Sequence, residues 1–147
     1  MAIFKNSPYG GFNFNVVVEG SEPTAFSTVV IPTVEIDVVE YRDGNDRTSQ
    51  PRQVVGLTKY TNLVLKRGVA SSPALWEWFE QVRQGTLDRR GIIVTLLNEE
   101  QQPVVVWTLR RCLPIKYVGP TLSAAESDVA IEEMELAVEG LDIEQIG

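Results

Sequence analysis

The side chains that most often carry enzyme chemistry are scarce in this sequence of 147 residues. It contains no histidine, which removes the commonest general base and the commonest metal ligand. A single cysteine, Cys112, allows neither an intramolecular disulfide nor a cysteine-based metal cluster, and we expect it to be an inert, packed thiol. The glycines lack the spacing of a P-loop or of a dinucleotide fingerprint. We therefore expect no catalytic residue, no metal site and no cofactor.

Paired carboxylates are the remaining route to acid–base chemistry. Glu132 and Glu133 are adjacent, but neighbours in a β-strand point to opposite faces of the sheet and cannot act on one substrate. An enzyme that uses only carboxylates and tyrosines stays as a rival interpretation, and it requires a deep pocket with strongly shifted carboxyl pKa values. The sequence favours a protein that is not an enzyme.

The composition indicates an acidic globular chain with the length of one domain. Thirteen basic and twenty acidic residues give a net charge of −7, which argues against nucleic acid as the main partner. Residues 1–11 contain no apolar segment of the length that a secretory signal needs, so we expect synthesis in the cytoplasm without a signal peptide. The longest apolar run, residues 91–97, is far shorter than the roughly 20 residues of a membrane span. We expect no direct membrane insertion.

Alternation of apolar and polar residues predicts a mainly β fold. The expected strands cover residues 12–18, 26–31, 34–41, 59–67, 92–97, 104–109 and 128–139. The first two should form a hairpin around the turn at residues 20–23. In the third strand Val34, Ile36 and Val38 share a face that we expect to be buried, opposite an acidic face.

One helix is predicted over residues 73–84. Pro73 suits its first helical position and Gly85 its end. Its buried face consists of apolar residues at helical spacing, namely Leu75, Trp78, Phe79 and Val82. Trp76 lies away from the centre of this stripe and is predicted at the rim of a subunit contact. Together the elements predict a small antiparallel β-barrel or sandwich with one flanking α-helix.

Residues 42–52 contain no apolar side chain and form a predicted loop. Loops of this length in compact domains are usually functional or mobile, and we favour an assembly contact over disorder. Its charged residues are the predicted contacts between subunits: Arg42, Asp43, Asp46, Arg47 and Arg52. Nucleic-acid binding by its three arginines is a third interpretation, which two aspartates and the lack of an interleaved aromatic weaken.

Several predicted strands are apolar on both faces, which is more than one helix can cover. The strands at residues 92–97 and 104–109, which form a predicted hairpin, show this for part of their length. Burial against neighbouring copies would cover these faces, so the pattern predicts homo-oligomerisation. In the last strand the apolar phase changes between Ile131 and Met134, which predicts a β-bulge near Glu132 and Glu133.

Six segments in this order carry a resemblance to a known family. They are PYGGFNFNVVVEG, VEIDVVEYRDGND, GLTKYTNLVLKRGV, LWEWF, LRRCLPIKYVGP and DVAIEEMELAVEGL. Over about residues 9–144 the chain resembles the tail tube (inner tube) proteins of contractile phage tails and of extracellular contractile injection systems. The tubes of toxin-delivering particles look most similar.

The resemblance implies a structural role for a single tail tube domain over residues 1–147. This domain would have an N-terminal arm at 1–10 and a C-terminal tail at 140–147. Six β-barrel-like protomers would form a ring, and the rings would stack into a hollow, rigid tube inside a contractile sheath. The implied partners are further copies, the sheath protein, baseplate or hub proteins, tube-terminating proteins, and cargo in the lumen, either toxin protein or DNA. The tube would belong to a phage tail or a released extracellular particle and would puncture a target envelope.

The resemblance does not say which strand face lines the channel. The strands with one apolar and one acidic face supply the predicted lumen residues Glu35, Asp37, Glu133, Glu135 and Glu139. Six copies would make the channel electronegative, which would discourage acidic cargo from adhering to its wall. The alternative is that these acids face the sheath or solvent. A monomeric β-sandwich that binds carbohydrate or peptide stays as the alternative function.

Overall fold

The computed structural model describes residues 10–11, 13–21, 25–41, 44, 52–69, 73–125 and 129–146. They form nine strands and helix α1, Ala74–Arg83. The strands are β1 Phe14–Val18, β2 Thr28–Val30, β3 Val34–Tyr41, β4 Arg52–Tyr60, β5 Leu63–Gly68, β6 Arg90–Leu97, β7 Pro103–Val118, β8 Ile131–Ala137 and β9 Gly140–Gln145. The predicted class, mainly antiparallel β with one flanking helix, is confirmed.

Seven strands form one antiparallel sheet, and β3 and β4 form a second sheet by themselves. The larger sheet follows the order β1-β6-β7-β8-β5-β2, with β9 also paired to β7. The long strand β7 joins two parts of this sheet, because its first half pairs with β6 and β9 and its second half with β8. In the described part of the chain β1 and β2 do not pair with each other, so the sheet does not close into a barrel.

The first two strands pair with distant partners instead of forming the predicted hairpin. Val16 of β1 lies opposite Val94 of β6, and Val29 of β2 lies opposite Leu65 of β5. The turn residues between β1 and β2 permit a hairpin, but the pairing of apolar faces decides the partner. The hairpin prediction was wrong because these partners are far away in the sequence.

The core lies between the inward faces of the larger sheet and helix α1. Its fully buried side chains include Leu63, Ile92, Met134 and Trp78. The indole N–H of Trp78 donates to the carbonyl oxygen of Asp88 at 2.7 Å, which satisfies the polar atom of this buried ring. The helix therefore covers the sheet, as its apolar stripe predicts.

Strand β8 alternates without interruption, so the bulge predicted near Glu132 and Glu133 was wrong. It pairs with β5 in one unbroken register. Glu132 is buried at an inward position, where Arg67 Nε lies 2.5 Å from one carboxylate oxygen and the Tyr117 hydroxyl donates to the other at 2.6 Å. The apolar phase changes in the sequence because Ile131 occupies an exposed position of β8 and the buried position beside it is a carboxylate. The irregularity lies in β7, between Pro114 and Lys116.

Two strands were not predicted. β4 starts at Arg52, and it is separated from β5 at residues 61–62, so the expected strand 59–67 is two strands. β9 pairs with β7 over residues 105–110, so residues 140–145 form a strand rather than a C-terminal tail. Both were missed because short amphipathic runs next to polar segments carry a weak local signal.

Candidate assembly surfaces

The β3–β4 hairpin is the most exposed apolar structure among the described residues. Its strands pair only with each other. Eight large apolar side chains on it are between 45% and 76% exposed: Val34, Ile36, Val38, Val39, Tyr41, Val54, Val55 and Leu57. Exposed apolar side chains therefore lie on both faces of one hairpin, and exposed apolar surface of this extent is typical of a protein–protein contact.

The burial expected for one face of β3 does not occur within the protomer. Val34, Ile36 and Val38 are all exposed, because no helix or sheet of the described protomer covers that face. Cross-strand pairing adds Val55 to it, opposite Val38. We call Val34, Ile36, Val38 and Val55 the apolar hairpin face.

Hydrogen bonds hold the base of the hairpin together. The amide of Thr61 donates to the carbonyl oxygen of Thr33 at 3.0 Å, and the amide of Thr33 donates to Thr61 Oγ1 at 2.7 Å. Further out, the register shifts between Ile36 and Val38, which is a bulge. Gly56 lies there, and a Cβ at this position would be 3.0 Å from the carbonyl oxygen of Asp37, so the close strand approach favours glycine.

Most of the loop predicted as an assembly contact lies outside the described residues. This applies to Arg42, Asp43, Asp46 and Arg47. Arg52 is the first residue of β4 and is exposed. Because β3 ends at Tyr41 and β4 begins at Arg52, the loop joins the two hairpin strands at the end opposite the Thr33–Thr61 base. The role of its residues as subunit contacts stays a prediction.

Trp76 lies at the edge of the helix, where it is 39% exposed. Its ring contacts Tyr117 at a centroid distance of 5.1 Å and Phe79 at 5.7 Å, and the guanidinium of Arg83 lies 5.5 Å from its centroid. This position keeps part of the ring available to a neighbouring chain. Its role in a subunit contact stays a prediction.

The two ends of the larger sheet form a second candidate surface. Among the described residues β1 pairs only with β6 and β2 only with β5, so each strand has an unpaired edge. A cavity of about 430 Å³ opens at this gap, and its lining includes Phe14, Val29 and Trp107. Unpaired edges and partly exposed apolar residues allow a further strand to pair here.

Sequence reasoning missed a pocket lined by arginines at one end of the β6–β7 ladder. Arg89, Arg110 and Arg111 lie in it, together with Glu19 and Glu139. The signal was available, because Arg-Arg doublets flank the two strands of the predicted hairpin at residues 92–97 and 104–109. An antiparallel pairing places such doublets at the same end.

A comparison with protein families shows to which family the chain belongs. The model described as T4-like virus tail tube protein gp19 matches residues 10–142. This chain belongs to the tail tube family. The match confirms the predicted resemblance to the tail tube proteins and the prediction that this is a structural protein.

Solved structures show the same tail tube fold. A chain from the sheath-tube complex of PVC, an extracellular contractile injection system in the extended state, superposes with a TM-score of 0.85 at 23% identity over 97% of this chain and 95% of that one. The tube-terminating cap of the anti-feeding prophage gives 0.85 at 22% identity over 99% and 97%. Hcp1 from Flavobacterium johnsoniae gives 0.56 at 14% identity over 90% and 94%. No curated protein matches the chain by sequence.

The five acidic residues predicted to line the lumen of the tail tube fall in three places. Glu35 and Asp37 lie on the hairpin. Glu133 and Glu135 lie between inward-facing residues of β8 and therefore share its outer face. Glu139 follows β8 and lies in the arginine-lined pocket. The structure does not bring these five side chains together in one protomer.

Nearby cations compensate part of this acidic charge. Lys59 Nζ lies 3.0 Å from Asp37 Oδ2, and Lys116 Nζ lies 3.1 Å from Glu135 Oε2. A channel lined by these residues would therefore be less electronegative than the carboxylates alone suggest. The lumen assignment stays a prediction.

Neither a metal-binding cluster nor a membrane-spanning helix is found in the described residues. No group of three or more histidine, cysteine, aspartate or glutamate residues in them is arranged to hold a metal ion. Within the same ranges, no helix combines the length and apolar character that crossing a membrane requires.

Proposed function

We propose that copies of this chain form six-membered rings, which stack into a hollow, rigid tube. The observation that carries this proposal is the β3–β4 hairpin, whose strands pair only with each other among the described residues and expose eight large apolar side chains. Fully burying one such side chain is worth about 1.5–3 kcal/mol. Since these eight side chains are about half exposed, burying all of them in the assembly would give about 6–12 kcal/mol per protomer before the cost of association.

The free edges of β1 and β2 supply a second contact in this assembly. Strands of neighbouring copies that pair at these edges extend the sheet from one protomer to the next. Such a contact joins two different surfaces and is therefore heterologous. It closes into a ring when the rotation from one copy to the next is a whole fraction of 360°. All copies in such a ring point the same way, so the ring presents one surface above and a different surface below, and rings stack in one orientation when these two surfaces are complementary.

The tube works inside a contractile particle. Its outer partners are the sheath, the baseplate or hub and the tube-terminating proteins, and its lumen conducts or holds cargo, either toxin protein or DNA. When the sheath shortens, the tube is driven through a target envelope. The similar solved chains come from a sheath-tube complex and a tube-terminating cap, which supports this setting. The function is mechanical and involves no catalysis by this chain.

A monomeric binding module explains the surface less well. In such a protein the apolar hairpin face would stay in water, and its exposed side chains would contribute no binding free energy. A ligand-binding β-sandwich needs a concave site, whereas this patch lies on a two-stranded hairpin outside the larger sheet.

The hairpin contact is tested by placing a charge on it. We expect Val38→Asp or Val55→Asp to abolish rings and tubes, because a carboxylate buried at a subunit contact without a partner is strongly unfavourable. The fold should be unchanged, since both side chains are exposed in the protomer. Light scattering after size exclusion gives the oligomeric state, and electron microscopy shows rings and tubes.

Leu122→Asp is the matched control, because Leu122 is 79% exposed and lies outside the hairpin. It should assemble like the unaltered protein. Rings of normal size and amount from both hairpin variants would contradict the proposed contact. An unaltered protein that remains a monomer at every accessible concentration would contradict ring formation itself.

A further inference from the structure

The arginine pocket is a concavity of about 480 Å³ at one end of the β6–β7 ladder, lined by Glu19, Arg89, Gly91, Arg110, Arg111 and Glu139. A bulge in β7 builds it. The register passes from Arg90 opposite Cys112 to Ile92 opposite Leu109, so two residues of β7 oppose one of β6. Adjacent residues of a regular strand point to opposite faces, but this bulge brings Arg110 and Arg111 to one pocket.

Arg111 has a positive φ of 52°, although it is not a glycine. This left-handed conformation costs an ordinary residue of order 1–3 kcal/mol, so the fold holds the arginine here against its local preference. Backbone strain of this kind concentrates at functional positions. It is a second observation, independent of the charges, that marks the pocket.

The guanidinium groups of the pocket have donors beyond their contacts in the protomer. Glu139 accepts from Arg111 at 2.6 Å and lies 3.1 Å from Arg89, while Arg110 lies 3.1 Å from Asp142. Each guanidinium carries five N–H donors, and these contacts use only some of them. The pocket can therefore accept a further carboxylate while its own ion pairs remain.

The opposite end of the same ladder carries a protruding acidic turn, residues 98–102. Asn98 Oδ1 accepts from the amides of Glu100 and Gln102, both at 2.9 Å, and these bonds shape the turn. Glu99 and Glu100 are exposed, and neither forms an ion pair with another described residue. The turn thus presents two carboxylates that no cation among the described residues compensates.

The turn and the pocket cannot meet within one protomer. Seven residue steps of β6 separate them, which is about 23 Å of extended strand. They meet when a second copy follows the first in the same orientation along the ladder. We propose that rings of this chain stack by inserting the acidic turn of one copy into the arginine pocket of a copy in the next ring. This inference rests on the proposed tube and names its ring-to-ring contact.

A second copy fits the pocket better than an unrelated acidic partner because both halves of the contact are built into one rigid ladder. The chain has a net charge of −7, so identical copies repel each other over most of their surfaces. Three arginines and two glutamates line the pocket and leave it a net charge of +1, so an acidic turn that faces it is attracted along one direction only. The contact is heterologous and does not close on itself, which suits an open stack.

The test reverses charge at each end separately and then at both. We expect Glu100→Lys to leave rings intact and to raise the protein concentration needed for tubes about tenfold at low ionic strength, because the reversal is repeated around the ring. Arg110→Glu should have a similar effect. The combined variant Glu100→Lys/Arg110→Glu restores a complementary pair and should recover tube formation. Electron microscopy distinguishes rings from tubes, and sedimentation measures the fraction assembled.

Glu77→Lys is the matched control, since it changes the net charge equally at an exposed helix position. Circular dichroism and the thermal midpoint establish that each variant folds, and Arg110→Gln removes the charge without adding repulsion. Glu100→Lys tubes that form at the same concentration as Glu77→Lys tubes overturn the inference. If Arg110→Glu forms no tubes and the combined variant does not restore them, the pocket binds a different acidic partner. This result also overturns the inference. An unaltered protein without rings overturns the proposed function instead.

Discussion

At the scale of single residues, the buried network of Arg67, Glu132 and Tyr117 is the feature with the greatest energetic consequence. Arg67 and Glu132 are 2% and 7% exposed, so both charges have left water. Such burial is tolerated only when the charges are paired and hydrogen-bonded. Here the arginine and the tyrosine hydroxyl occupy both carboxylate oxygens of Glu132.

Removing one partner of this pair should destabilise the protomer strongly. We expect Arg67→Met to lower the free energy of unfolding by about 3–5 kcal/mol, because it leaves the Glu132 carboxylate buried without its counter-charge. Lys66→Met on the opposite face of β5 should change it by less than about 0.5 kcal/mol. Urea unfolding followed by circular dichroism measures both. If the double variant Arg67→Met/Glu132→Leu were as unstable as Arg67→Met alone, the loss would not come from the stranded carboxylate.

The same network makes stability depend on alkaline pH. The hydrogen bond to Glu132, with burial and the Glu132 charge, raises the pKa of Tyr117 above its ordinary value of 10.0, and the charge of Arg67 acts in the other direction. A raised pKa in the folded state contributes stability that is present below the unfolded pKa and is lost as the pH rises through the folded pKa.

Tyr117→Phe tests this dependence. We expect the stability advantage of the unaltered protein over the variant to be constant from about pH 7 to about pH 9 and to shrink above about pH 10. Thermal unfolding across this range measures the difference, in which the other titrating groups cancel. A constant difference up to pH 11 would show that Tyr117 does not titrate differently on folding.

Cys112 shows the opposite situation, a titratable group without a partner. It is fully buried, and burial raises the pKa of its thiol to about 12. The thiol is therefore protonated at neutral pH and packs as a small apolar group, as the sequence predicts.

At the scale of elements, the β3–β4 hairpin and the β6–β7 ladder have opposite characters. The ladder contributes Ile92, Val94 and Leu109 to the core. In the described residues the hairpin contributes no buried side chain, and the hydrogen bonds between Thr33 and Thr61 close its base without tying it to the larger sheet. A two-stranded hairpin alone is marginally stable in water, so this element should gain its order from assembly.

Hydrogen exchange measures this difference directly. In a protomer kept apart by Val38→Asp, we expect the amides of β3 and β4 to exchange at least about tenfold faster than those of β6 and β7, because exposed pairs open locally. In assembled tubes of the unaltered protein the hairpin amides should become protected. Equal protection of the hairpin in the separated and assembled forms would show that it docks on nothing.

At the scale of the whole molecule, the proposed tube requires distinct surfaces on a protomer for neighbours in a ring and for neighbours in a stack. In our proposal the hairpin and the free edges of β1 and β2 serve the first, and the two ends of the β6–β7 ladder serve the second. Residues 42–52 connect the hairpin strands, and their charged composition suits contacts repeated from copy to copy.

Shortening this loop should separate folding from assembly. We expect replacement of residues 44–50 by a short Gly-Ser link to leave circular dichroism and the thermal midpoint unchanged while shortening the tubes. Even about 0.5 kcal/mol for each exposed pair, repeated six times, sums to about 3 kcal/mol per ring junction, roughly a hundredfold in the association constant. Tubes of normal length and salt resistance would exclude the assembly role, and loss of the fold would assign the loop to the protomer core.

The sequence by itself determined the features that depend on local pattern. Period-2 alternation predicted β1, β3 and the β6–β7 hairpin, and helical spacing ended by Gly85, with its φ of 106°, predicted α1. The composition excluded a histidine-based or cysteine-cluster site outright, and six ordered segments indicated the family that residues 10–142 then matched.

Only the tertiary structure decided the features that depend on distant partners. Glu132 faces inward because Arg67, 65 positions away, meets it there, and no local pattern contains that information. The hairpin leaves its apolar face uncovered because the larger sheet completes its core without it. Arg89, Arg110 and Arg111 line one pocket because antiparallel pairing and a bulge bring them to one end of a ladder. Local periodicity specifies which side chains share a face, whereas long-range pairing specifies what that face meets.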